Sequence, residues 1–254
     1  MKDPFRLDGM VALITGSSRG IGRAIAESMA RQGARVVISS RKADACEEAA
    51  AAIRAEGGEA LVIPCNVSRK AEVENLVAQT LKQWGRIDAL VANAAVNPAF
   101  GPMSALSDDA FDKIMTANVK STMWLCNLAI PGMAERGSGA VIIISSIAGI
   151  RGAAMIGGYG LSKAADFALA RNYAVEWGPK NVRVNCIAPG LVRTEFARAL
   201  WENPDILRAR NAATPLRRIG EAHEIGPVAA FLASPAASFI TGQVIVADGG
   251  VTIA

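Results

Sequence analysis

The 254-residue sequence has one histidine, His223, and two tyrosines, Tyr159 and Tyr173. A single imidazole disfavours a zinc site and any mechanism that needs several histidines. The four cysteines, Cys46, Cys65, Cys126 and Cys186, are spaced too widely for a Cys-x-x-Cys metal or redox motif. They are expected to be buried free thiols in a reducing compartment, and no metal site is expected. Aromatic residues are only 5% of the chain, while hydrophobic residues reach 51% and charged residues 20%. That balance excludes a disordered chain and suits helices packed closely on buried strands. Lys plus Arg is 27 and Asp plus Glu 23, a net charge of +4, yet no run of positive charge exceeds two residues. Scattered cations argue against a nucleic-acid face. Arginine-rich chemistry instead suits one local phosphate site, because the guanidinium grips phosphate as a fork. The first residues, Met-Lys-Asp-Pro-Phe-Arg, carry no apolar run of signal-peptide type. Uncharged stretches such as 121–134 and 137–150 are too short to span a bilayer and contain Pro or Gly. The closing Val-Thr-Ile-Ala is no peroxisomal address. A cytoplasmic protein without membrane or nucleic-acid partners is the expectation.

Short apolar runs at 10–15, 35–39, 60–64, 89–92, 140–145, 182–187 and 244–247 alternate with helical patterns near 20–32, 43–56, 69–84, 108–134, 157–178, 194–211 and 221–233. Runs that are apolar without alternation belong to strands covered on both faces. Strand–helix alternation predicts an α/β fold, a doubly wound parallel sheet of about seven strands with helices on both sides. A chain of this length buries enough surface to form one domain, 1–254, without a disulfide or metal staple. Only the 190–220 stretch interrupts the alternation, and it is expected to be a lid at the carboxyl edge of the sheet.

After the first run comes Thr15-Gly16-Ser17-Ser18-Arg19-Gly20-Ile21-Gly22. Gly16 permits a tight turn, and Gly20 and Gly22 let a ligand approach the backbone and the helix sit close to the strand. The helix N-terminus then offers free N–H groups to a pyrophosphate. The same segment fits Gly-x-Ser-x-Gly, the nucleophile elbow of hydrolases, with Ser18 as nucleophile. That reading would need His223 as its base, and His223 falls in an exposed helix start. The second strand ends in Ser39-Ser40-Arg41-Lys42, with no acid before Asp44. An NAD site wants a carboxylate there, roughly 20 residues beyond the glycines, for the ribose hydroxyls. Ser40, Arg41 and Lys42, with Arg19 from the turn, suit a 2′-phosphate instead, which favours NADP(H).

Tyr159 and Lys163 are four residues apart at the start of a helical pattern and share a face. An ammonium beside a phenol favours the phenolate, which would let Tyr159 exchange a proton near neutral pH. Ser145 and Ser146 end the fifth strand at the edge that carries the glycine turn, where a hydroxyl can hydrogen-bond a substrate oxygen. Asn118 lies inside a helical pattern although asparagine is a poor helix former. It could hold a water that links Lys163 to solvent.

Taken together, the turn 15–22, Asn93-Ala94, Asn118, Ser146, Tyr159-x-x-x-Lys163, Pro189-Gly190 with Thr194, and Asp248-Gly249-Gly250 resemble a classical short-chain dehydrogenase/reductase over residues 10–250. The resemblance implies a Rossmann-type domain, nicotinamide-dependent hydride transfer and a homotetramer. It implies that Tyr159 is the acid/base, that Lys163 binds the nicotinamide ribose and lowers the tyrosine pKa, that Ser146 rather than Ser145 meets the substrate, and that Asn118 relays protons. It also implies cofactor contacts from Gly16, Ser18, Arg19, Gly20, Ile21, Gly22, Ser40, Arg41, Lys42, Asn66, Val67, Asn93, Ala94, Ile187, Pro189, Gly190, Val192 and Thr194. Ala95 replaces the glycine usual after Asn-Ala, and Asn66 replaces an aspartate usual at the adenine. The stretch 93–98 with 39–42 is similar to NADPH-dependent carbonyl and retinol reductases, and 220–250 to 3-oxoacyl-carrier-protein reductases.

The expected substrate is a carbonyl compound or alcohol. Val96, Pro98, Phe100, Ile147, Met155, Ile156, Leu191, Leu200 and Trp201 would make its pocket apolar. The 157–178 helix carries more apolar residues than one stripe needs. Either 190–220 folds over the surplus or the same helix of another subunit covers it. A non-catalytic NADP-binding sensor or scaffold is the competing use of this fold, although it has no need of Asn118, Ser146, Tyr159 and Lys163 together.

Overall fold

A computed structural model describes residues 3–254. The first β-strand, β1 (Val11–Thr15), leads into α1 (Gly20–Arg31), then β2 (Arg35–Ser39), α2 (Ala43–Ala55), β3 (Ala60–Val62), α3 (Lys70–Trp84) and β4 (Ala89–Ala92). The second half continues through α4 (Asp108–Met115), a π turn at Thr116–Lys120, α5 (Ser121–Glu135), β5 (Gly139–Ile144), α6 (Gly157–Trp177) and β6 (Val182–Pro189). It ends with β7 (Val192–Arg193), α7 (Arg198–Trp201), α8 (Pro204–Ala213), β8 (Gly220–Glu221), α9 (Ala222–Ala233) and β9 (Val244–Ala247). Seven strands form one sheet in the order β3-β2-β1-β4-β5-β6-β9, and every pairing is parallel. This is a Rossmann-type α/β fold.

The sheet is apolar on both faces because both are covered. Ala12 and Ile14 of β1 face a layer built on Ile25 and Met29 of α1, Ile53 of α2 and Leu232 of α9. Leu13, between them, faces Leu76 of α3, Leu125 of α5 and Phe167 of α6. Helices α1 and α9 touch through Gly226, where a Cβ would lie 2.4 Å from Ser28 Oγ.

Three departures from the sequence pattern bear on the site. The 108–134 helical run is interrupted by the π turn that carries Asn118. The 194–211 pattern is two short helices, because Asn203 caps α8 through the amides of Asp205 and Ile206 and Pro204 opens it. The ends of the 190–220 excursion are tied by a two-residue parallel pair, β7 with β8. No helix among the described residues is long and apolar enough to cross a membrane.

Candidate active site

All seven strands point the same way, so the residues that follow them meet at one carboxyl edge. The turn between β1 and α1 is held in a left-handed bend at Gly16 (φ 65°) and Gly20 (φ 57°). At Gly22 a Cβ would lie 2.3 Å from the Gly16 carbonyl oxygen, so only glycine lets α1 start this close to the strand. The side chain of Asn93, after β4, donates to the carbonyls of Thr15 at 2.8 Å and Gly16 at 3.1 Å. Thr15 Oγ1 in turn accepts the amides of Asn93 and Ala94. Helix α1 begins at Arg19 with no side-chain cap and no acid in its first turn. Its first N–H groups are therefore available to an anion.

At the end of β2, Ser40 Oγ lies 3.1 Å from Cys46 Sγ. Arg19, Arg41 and Lys42 are exposed and make no ion pair among the described residues, and Asp44 already belongs to α2. After β3, the Asn66 side-chain oxygen accepts the backbone N–H of Ser68, and the Asn66 backbone N–H donates to the Glu72 carboxylate. Across the turn, Thr194 Cγ2 would sit 3.3 Å from a Cβ at Gly20, which brings the 189–194 stretch against the glycines.

Tyr159 stands in the first turn of α6. Close backbone packing fixes that turn: a Cβ on Gly160 would lie 2.7 Å from Ala148 O, and one on Gly149 would lie 2.7 Å from Ala164 N. The Ser146 hydroxyl accepts the Ala148 amide at 3.1 Å and stands near enough to the phenol to favour its ionised form. The Lys163 ammonium lies 5.8 Å from the centre of the tyrosine ring. It donates to Ile144 O at 2.8 Å and to Asp166 Oδ2 at 3.0 Å. Ser145 donates to the Lys163 carbonyl at 2.8 Å and its hydroxyl also stands beside Asp166. Burial raises the phenol pKa above its ordinary value. Lys163 and Ser146 pull it down and Asp166 adds to the rise, and burial prevails. Lys163 thus acts on Tyr159 in the expected direction, and burial, the largest influence, outweighs it in the protein alone.

Asn118 is buried in the π turn. Its amide donates to Val96 O at 3.0 Å and Ser162 Oγ at 3.0 Å and accepts Val96 N at 2.8 Å. Ser162 Oγ donates to the Tyr159 carbonyl at 2.7 Å. Asn118 therefore ties the 93–97 loop to the tyrosine's helix, and no hydrogen bond joins its side chain to Lys163.

A cavity of about 190 Å³ opens beside Tyr159. Phe100, Met103, Leu106, Ile114, Met155 and Ile156 form much of its wall, and Asn97 is its one polar amide. The ring of Phe196, in the 190–220 excursion, packs 6.0 Å from that of Tyr159 at 42°.

A family model described as enoyl-(acyl carrier protein) reductase matches residues 16–252. The chain is 43% identical over 244 residues to dehydrogenase/reductase SDR family member 4 of Bos taurus, covering 96% of this chain and 88% of that one. The chain belongs to the short-chain dehydrogenase/reductase family. Among solved members, it superposes on a gluconate 5-dehydrogenase from Burkholderia cenocepacia in complex with NADP and tartrate with a TM-score of 0.95, at 33% identity over 99% of this chain and 98% of that one. It superposes on a 7α-hydroxysteroid dehydrogenase complexed with NADH and 7-oxo glycochenodeoxycholic acid with a TM-score of 0.94, at 36% identity over 98% and 97%.

This family member's residues fit a nicotinamide dinucleotide on their own geometry. The glycines leave a cradle that side chains would fill, and the uncapped helix faces it. Of the residues expected around the substrate, Phe100, Met155 and Ile156 line the cavity beside Tyr159. Leu191 lines a different hollow of about 520 Å³ between 215–225 and 246–250. Val96, Pro98, Ile147 and Leu200 line neither, and Trp201 instead stacks on Arg193 and donates to Thr194 O at 2.8 Å. Met103, Leu106, Ile114 and Phe196 were not singled out by the sequence, where isolated apolar residues in loops and helix starts carry no periodic signal. The hydrolase reading has no support in this arrangement: His223 is exposed at the start of α9, and among the described residues no hydrogen bond joins it to Ser18.

Proposed function

We propose that this chain is an NADP(H)-dependent oxidoreductase that reduces a ketone or aldehyde to an alcohol, or runs the reverse reaction. The observation that carries this reading is the joining of Tyr159, Ser146 and Lys163 in one cluster, between the glycine turn and an apolar cavity. The pyrophosphate would lie on the turn 16–22. Ser40, Arg41, Lys42 and Arg19 would meet the 2′-phosphate, with Asn66, Val67, Asn93 and Ala94 along the adenosine. Lys163, Pro189, Gly190, Val192 and Thr194 would meet the nicotinamide half. A bound nicotinamide nucleotide supplies the hydride acceptor or donor.

The chain's own groups do the rest. Ser146 Oγ and the Tyr159 phenol converge on one point, where they hold a carbonyl oxygen by two hydrogen bonds. As negative charge gathers on that oxygen, the phenol proton moves to it. The cationic Lys163 favours the phenolate so formed. Asn118 keeps the tyrosine's turn and the 93–97 loop in one frame. The cavity wall offers no charged side chain, which favours an uncharged, largely apolar substrate. The 190–220 segment, with Phe196 over the tyrosine, acts as lid. A homotetramer in the cytoplasm, with its four thiols buried and free, completes the reading. The Burkholderia gluconate dehydrogenase holds NADP and the steroid dehydrogenase NADH. Ser40-Arg41-Lys42 supports the first for this chain.

The test is oxidation of NADPH with a panel of ketones, followed at the nicotinamide absorbance, on the native chain and on Tyr159→Phe. The variant should bind NADPH almost as tightly and lose turnover by at least about 10²–10⁴, the contribution of general acid catalysis alone. Undiminished turnover in Tyr159→Phe would remove the assignment.

A further inference from the structure

Asp166 follows Lys163 by one helical turn and has no part in the reading above. Its side chain is 0% exposed, and that of Lys163 is 3% exposed. Oδ2 accepts from Nζ at 3.0 Å, while Oδ1 has no hydrogen-bond partner. A carboxylate in such a place is poor structural material, since an apolar side chain would fill it without desolvating a charge.

The ammonium supplies the reason. Lys163 has three N–H donors. Ile144 O takes one and Asp166 a second, which fixes the direction of the third. Burial alone drives a lysine toward its neutral amine. Among the groups that oppose this, Asp166 acts most strongly. We propose that Asp166 is a positioning residue, whose carboxylate keeps the buried Lys163 protonated and its remaining N–H aimed. This rests on the reading of Lys163 as a group that meets the nicotinamide nucleotide.

Few other groups can interfere. Tyr159 on α6 and Cys186 on β6 face the ammonium, and Cys126 on α5 faces Asp166. Arg171, further along α6, acts only on Cys186. From β5 comes the Ile144 carbonyl, and just after it the Ser145 hydroxyl, which stands beside Asp166 and favours its carboxylate against the effect of burial. Burial pushes Cys126 up to about 12 and Cys186 upward as well, so both thiols stay neutral through moderately alkaline pH.

The experiment is an NADPH fluorescence titration across the range from about pH 6 to about pH 10, made in a Tyr159→Phe background. There the phenol cannot titrate and no turnover is needed. With Asp166 present, affinity should persist until the alkaline end of the range. Adding Asp166→Asn should bring its loss down by about one pH unit or more. Asp166→Ser is read the same way if the Asn variant does not fold, as judged by circular dichroism. Asp166→Glu keeps the charge but moves it, and should retain the alkaline limb while weakening NADPH severalfold at every pH. Alkaline limbs that superimpose for a folded neutral variant and its Tyr159→Phe parent overturn the proposal. Full turnover in Tyr159→Phe alone overturns the acid/base reading instead and leaves this measurement standing.

Discussion

Tyr159 is held where ionisation is unfavourable. Burial keeps its phenol protonated above its ordinary range, and Lys163 and Ser146 recover only part of that rise. In the proposed reaction the neutral phenol serves reduction and the phenolate serves oxidation. Reduction should therefore run undiminished through neutral pH and fall only on the alkaline side. Alcohol oxidation should climb over the same range. Initial rates in both directions, measured across one buffer series, check this. An oxidation optimum at or below that of reduction is incompatible with it. At the other end of the site, Arg41 is exposed and without an ion pair among the described residues, as suits a partner supplied by a ligand. Arg41→Asp should exchange a 2′-phosphate partner for a ribose-hydroxyl partner. A lost charge-assisted contact costs about 1.5–3 kcal/mol, roughly tenfold to a hundredfold in affinity for NADPH. Paired titrations with NADPH and NADH measure the exchange. Equal affinities in the native chain would contradict the reading of residues 39–42.

At the scale of elements, the π turn at Thr116–Lys120 matters most for the site. Its widened turn carries Asn118, whose amide closes two hydrogen bonds with Val96 and one with Ser162. Asn118→Ala should leave both backbone groups of half-buried Val96 without those partners, at about 1 kcal/mol for each. A lowered Tm together with a fall in kcat/KM is the expected outcome. A normal Tm with lost activity would instead point to a role in proton transfer alone. Asparagine inside a helical pattern announced that something is unusual there, but not which groups it meets, because Val96 and Ser162 lie in other segments. The main elements were legible for a simpler reason. Buried parallel strands must be apolar on both faces, and 35–39 and 89–92 show it so cleanly that observed and expected bounds coincide, as they do for the half-exposed edge strand 244–247. The β7–β8 pair is only two residues long and leaves no pattern. The break at Asn203-Pro204 was written in the sequence as a cap followed by a first-turn proline, and the apolar periodicity around it hid the signal. Asp166 escaped notice for the opposite reason, since a lone acid three residues past a lysine looks like an exposed helical pair until burial is known.

On the scale of the whole molecule, the outer face of α6 is unfinished. Its inner face packs Phe167, Ala170, Tyr173 and Ala174 against the sheet. On the outer face Leu161 is 44% exposed and Val175 81%, with Met123 of the neighbouring α5 at 37%. The 190–220 segment leaves these side chains open, so it does not supply the cover that the sequence left as one of two options. Apolar side chains in a row on adjoining helices are the mark of a surface that meets another surface. Ala164 is exposed on the same helix and is small enough to let two backbones approach. Pairing of the same face about a two-fold axis would bury it in both copies at once. A tetramer adds a second two-fold contact, for which the outer edge of β9, with Val246 40% exposed, is available. Light scattering at micromolar concentration should give a mass near four times 26.5 kDa. Val175→Asp should place a charge on the seam and lower that mass to a dimer or monomer, with the far-ultraviolet spectrum unchanged. A native mass near 26.5 kDa would show that this face meets water in solution. A tetramer untouched by Val175→Asp would move the interface elsewhere.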